Sequence, residues 1–130
     1  MNLLAIGSSA FEGCFKLSLQ EFPDTCITVR QGAFAGCNLI RFSDLKKLES
    51  AGAQAFLNTA QKGIKKLTMS KIKSIASAQN LTSSGAFSGA YPDVEIIVCP
   101  SEITIDGTAY SGTTLIEKLK QHGFYNLQEV

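Results

Sequence analysis

With 130 residues, 45% of them apolar and 18% charged, the chain has the material for one buried core and is expected to form a single domain, 1–130. A formal net charge of +1 excludes the self-repulsion of a disordered acidic tail and the strongly basic balance of a general nucleic-acid binder. The longest uncharged run, Ser74 to Pro92, is full of Ser, Asn and Gly, so no membrane span is expected.

The chain opens on MNLLAIGSSAF, which has neither a basic n-region nor an apolar h-region of adequate length, so no secretory signal is visible. From its first aromatic residue onward the chain is a repeat. An Ala-aromatic pair stands at Ala10/Phe11, Ala33/Phe34, Ala55/Phe56, Ala86/Phe87 and Ala109/Tyr110, with aromatic spacings of 23, 22, 31 and 23 residues. Two positions after each ring comes Gly13, Gly36, Asn58, Gly89 or Gly112, residue types that accept a left-handed backbone in a tight turn. Between the pairs and running toward the next, in chain order, lie LSLQEFPDTCITVRQGAF (17–34), IRFSDLKKLESAGAQAF (40–56), IKKLTMSKIKSIASAQ (64–79) and VEIIVCPSEITIDGTAY (94–110). Each is two short runs rich in β-branched or other apolar residues, split by Pro, Ser or Asp, and reads as a strand, a turn and a second strand. No such unit has enough core to fold alone; stacking neighbours at about 4.8 Å per rung supplies a continuous interior.

The interval from Phe56 to Phe87 carries about eight extra residues, centred on 74–85, where a bulging loop is expected. The last segment, Thr114 to His122, has Thr114 and Glu117 at capping-box spacing and Leu115, Ile116 and Leu119 on one face. It is expected to be a helical cap over the last rung.

The stretch IGSSAFEGCFKL (6–17), with an apolar strand ending in Pro and a following apolar-Gly turn, resembles the BspA-type leucine-rich repeat. The resemblance implies a right-handed repeat solenoid of about five 22–23-residue units, with short parallel strands, helical or irregular turns and the helical cap. It also implies a non-catalytic interaction or adhesion module of a larger surface or secreted protein, with a protein or glycan ligand. Because the chain opens in the second half of a unit, it is expected to be the C-terminal portion of a longer array, with an open first rung through which copies could associate.

Repeat register also decides how the titratable residues are read. Cys14 and Cys37 share one repeat position, filled later by Thr59, Ala90 and Thr113, and Cys26 and Cys99 replace apolar strand residues. All four are expected to be small buried packing residues, with Phe11 the core anchor of the first rung. A bridge between Cys14 and Cys37 is conceivable in backbone spacing, although parallel side chains disfavour it. No C-x-x-C pair exists and there is one histidine, so no metal or cofactor is expected. His122 is assigned to the helix terminus, where an imidazole meets the last carbonyls and the dipole. No nucleophile or phosphate-loop signature stands out, and the chain is not expected to be an enzyme; a thiol enzyme using His122 is ranked last.

The block 46–73 carries seven lysines against Glu49 alone, whereas 89–130 carries six carboxylates against two lysines. Lys46, Lys47, Lys65, Lys66, Lys71 and Lys73, with Lys62 nearby, are the candidate binding residues, expected to form a stripe on one side for an acidic protein or anionic glycan. Ordinary solubilising lysines are the alternative. Nucleic acid is not expected, since the block has neither Arg nor interleaved aromatics. A structural spacer in a multidomain protein is the runner-up function.

Overall fold

A computed structural model describes residues 4–76, 85–121, 124 and 127–129. The elements run β1 (Ala5–Ile6), β2 (Thr28–Val29), β3 (Ser50–Ala51), β4 (Lys66–Thr68), β5 (Ser74–Ile75), β6 (Ile96–Cys99), β7 (Glu102–Ile105), β8 (Thr108–Ser111), α1 (Gly112–Gln121) and β9 (Leu127–Glu129).

Strands two to four residues long are stable only as rungs, and the pairing makes them so. One sheet runs β1-β2-β3-β5-β7-β8 and a second runs β4-β6-β9. In the first, the parallel register joins Ala5 to Thr28, Thr28 to Ser50, Ser50 to Ser74 and Ser74 to Thr104. Alternation follows the pleat: Ile6, Val29, Ala51, Ile75 and Ile105 point inward and are buried, while the residue before each is half-buried. The second sheet pairs Leu67 with Ile97 and Ile97 with Leu127.

The Ala-aromatic turns line up between these sheets. Phe11 N–H donates to the Ala33 carbonyl at 2.8 Å, Phe34 to Ala55 at 2.8 Å and Phe56 to Ala86 at 2.7 Å. The turn residues two positions on adopt positive φ, including Asn58 at 56° beside Gly13, Gly36 and Gly89 at 72°, 78° and 66°. At Gly52 a Cβ would come within 2.7 Å of the Gln31 amide nitrogen, so the second and third rungs need a glycine where their backbones approach. Stacking equal positions makes a ring column: Phe11–Phe34, Phe34–Phe56 and Phe56–Phe87 have centroids 5.4, 5.5 and 5.2 Å apart and planes within 14°.

Several expectations are corrected. Phe11 is not a core anchor: it is 36% exposed, against 1% for Phe34, because it has a ring neighbour in the next rung only. Cys14, in the same rung, is exposed and not a buried packing residue. The sheet is not uniformly parallel, since β7 and β8 form an antiparallel hairpin across Asp106–Gly107, whose φ values are 52° and 85°. Tyr110 therefore lies on β8, half-buried, and the tilted ring of Phe124 meets Phe87 at 5.4 Å instead. Thr114 is not the helix N-cap: α1 begins two residues earlier, and the Thr114 hydroxyl donates to the Ser111 carbonyl at 2.7 Å.

The helix buries Leu115 and Leu119, with Ile116 half-buried, beside β7 and β8. The edge of the first sheet is occupied by β8 itself, and β9 adds a further rung to the second sheet after the helix. Most of the insertion expected near 74–85, and His122, lie outside the described residues.

Candidate interaction surface

The lysines are set by the connection from the second sheet to the first. In that turn Leu45 and Leu48 of one rung, and Met69 and Ile72 of the next, are fully buried, which turns the intervening residues outward. Lys46, Lys47, Lys71 and Lys73 are all exposed. Carrying the Ser50–Ser74 register back puts Lys47 beside Lys71, Lys46 beside Ser70 and Glu49 beside Lys73. Lys65 and Lys66 are exposed at the start of β4, with Lys66 five residues before Lys71. Lys62 is exposed in the turn before β4.

Carboxylates interrupt this flank. Lys73 Nζ lies 3.0 Å from Glu49 Oε1, in a pair exposed enough for solvent to screen it. Asp24 holds the position before Lys46 in the stack by the Thr28–Ser50 register. Asp44 bridges to Thr68, and the Glu95 amide donates to the Lys65 carbonyl at 2.7 Å. The structure thus brings Lys47 and Lys71 onto adjacent turns, occupies Lys73 with Glu49, and places Lys65 and Lys66 farther along the same rung.

Burial governs the thiols. Cys26, Cys37 and Cys99 are fully buried, and desolvation raises each thiol above its usual value, Cys99 to about 11. Such groups stay mostly protonated near neutrality, so none of the three is an activated first nucleophile. Among the described residues no three His, Cys, Asp or Glu side chains gather in a way that could hold a metal ion, and no helix is long and apolar enough to cross a membrane.

On the first rung an apolar set, Leu4, Phe11, Phe15 and Leu19, is between 36% and 62% exposed. One feature escapes the sequence: a buried polar chain that ties three rungs together. Gln61 Oε1 accepts from the Phe42 amide at 2.6 Å, Gln61 Nε2 donates to Thr59 Oγ1 at 3.1 Å, and the Tyr91 hydroxyl donates to the Phe42 carbonyl at 2.8 Å. Burial pushes the Tyr91 phenol far above its ordinary value, with Gln61 opposing that shift. A lone glutamine in a turn segment carries no signal of this, because its burial is decided by what the adjacent rungs leave unpaired.

A family model describing a BspA type leucine rich repeat region matches residues 2–117, in six copies where the aromatic spacing alone counts five pairs. No match was found among curated proteins or among solved structures.

Proposed function

The chain belongs to the BspA-type leucine-rich repeat family, and from that premise we propose that it is the recognition part of a surface or secreted protein, binding an acidic protein surface or an anionic glycan. Repeats of this family are protein-interaction modules, and their stacked units give an extended surface. In this reading the parallel strands wind as a right-handed coil, the hand that twisted strands favour. The flank carrying Lys46, Lys47, Lys65, Lys66, Lys71 and Lys73 is the docking side. The observation that carries the proposal is that Lys47 and Lys71 are exposed on adjacent turns over fully buried leucine, isoleucine and methionine anchors. Charges held on a rigid scaffold keep their spacing and add field toward an anionic partner.

An array of matrix proteins and glycans tests it, with wild type set beside a variant in which Lys65, Lys66, Lys71 and Lys73 are all changed to Glu. Binding should weaken as salt rises and disappear in the variant. Binding of equal strength in both proteins removes the lysine flank as the site.

A second reading is favoured by the exposed apolar set of Leu4, Phe11, Phe15 and Leu19. It is self-association through the first rung, since apolar patches of this kind mark interaction sites. Sedimentation at rising concentration should show a dimer that Phe15→Lys abolishes; a monomer throughout contradicts it.

A further inference from the structure

We propose that Cys14 and Cys37 are a peroxide-sensitive pair that closes a disulfide between the first two rungs. Backbone register brings them side by side. The Phe11 amide donates to Ala33 at 2.8 Å and the Gly13 amide to Ala35 at 2.7 Å, while the rings of Phe11 and Phe34 stack at 5.4 Å. Each cysteine stands three residues after one of those rings, so the two thiols occupy the same repeat position in neighbouring rungs.

The second observation concerns where the Cys37 sulfur reaches. Its thiol donates to the Phe11 carbonyl at 2.9 Å, across the gap to the first rung, and the Cys14 amide also faces that sulfur. Cys14 is exposed, so an oxidant can reach it, while Cys37 lies fully buried behind it. The other two thiols have no cysteine at the matching position of an adjoining rung. The register places Leu48 beside Cys26, and Met69 and Glu129 on either side of Cys99.

Spacing permits the bond with a small adjustment. Neighbouring rungs hold equal Cα atoms about 4.8 Å apart, inside the roughly 4.4–6.8 Å span of disulfides. Parallel side chains leave the Cβ atoms about 1 Å too far apart, so the first rung must shift by about that much. It is the rung most able to shift, since Phe11 and Phe15 are 36% and 62% exposed.

The chemistry balances with a hydroperoxide as oxidant. The Cys14 sulfur attacks the peroxide oxygen, the O–O bond breaks, and Cys14 becomes a sulfenic acid as the peroxide is reduced to water or an alcohol. The Cys37 sulfur then attacks the Cys14 sulfur; the S–S bond forms, the S–OH bond breaks, and a second water leaves with the Cys37 proton. A thiol reductant reverses the step. The consequence is a covalent tie on the rung that packing holds least.

The test treats reduced protein with hydrogen peroxide and maps peptides without reduction. A Cys14–Cys37 linked peptide is expected, with the loss of two hydrogens from the intact mass. It should be absent from Cys14→Ser and Cys37→Ser and from protein alkylated beforehand at Cys14. Amide exchange at Phe11 and Gly13 should slow at least tenfold on oxidation and recover with reductant. The proposal is overturned if Cys14 goes on to the sulfinic acid with Cys37 still free. It is equally overturned if Cys14 bridges to Cys14 of a second molecule, or if Cys26 or Cys99 enters the bond.

Discussion

Phe11 and Phe34 occupy the same repeat position, donate backbone hydrogen bonds of the same 2.8 Å length and stack on one another, yet one is 36% exposed and the other 1%. The cysteine position repeats the contrast: Cys14 is exposed, while Cys37, Thr59 and Ala90 are fully buried. In a stacked array, a residue's worth is set by how many rungs flank it. The repeat motif fixes where a side chain points, and the neighbours decide what that direction is worth.

The largest test of that contrast is truncation along the ring column. Phe56→Ala should cost about 3–5 kcal/mol, since it opens a cavity between two stacked rings. Phe11→Ala should cost only about 1–2 kcal/mol, because less area is lost and solvent fills the gap. Chemical denaturation of both variants checks this, and equal losses would break the comparison.

A smaller effect is expected at high pH. The Cys99 thiol titrates at about 11 when folded, against an ordinary value of 9.0. The unfolded chain therefore loses its proton first, so the contribution of neutral Cys99 is intact below pH 9.0 and declines as pH rises to about 11. Tyr91, raised further by burial, adds to that decline above the ordinary phenol range. Cys99→Val should flatten the stability profile between those two pH values, and an unchanged profile would contradict the assignment.

Tyr91→Phe should cost about 1–2 kcal/mol, because the fully buried Phe42 carbonyl loses its hydroxyl partner. The mirror change in the first rung, Phe15→Ala, should lie within about 0.5 kcal/mol of wild type as an exposed substitution. Smallest of all is Lys73→Ala. Its ion pair with Glu49 is exposed and screened, so about 0.5 kcal/mol or less is at stake. A loss above about 2 kcal/mol at either exposed site would show that the outer residues are held more tightly than their exposure implies.

Much of this architecture is legible in the sequence because it repeats. The Ala-aromatic pairs locate the ring column, and Gly or Asn two residues on locates the positive-φ turns, confirmed at Asn58. The exposure of Phe11 is not legible from its motif, which matches that of Phe34. The antiparallel hairpin has a local signal, Asp106-Gly107 between β-branched residues, but the Ala109/Tyr110 match points to another parallel rung. Local turn chemistry prevailed over repeat register there. At the candidate site, the alternation of buried anchors and outward lysines can be read from the chain. The Glu49–Lys73 pair needs the third-to-fifth-strand register, which the sequence supplies only once the rungs are aligned.

The central claim is that equal motifs differ in stability through their flanking rungs, and native-state hydrogen exchange on the reduced protein measures it most directly. The Phe11 and Phe34 amides make backbone bonds of the same length, so any difference in protection reports the stack and not the bond. The Phe11 amide is predicted to exchange about a hundredfold faster than the Phe34 amide, through local opening of the first rung. Equal protection at the two positions would contradict the account.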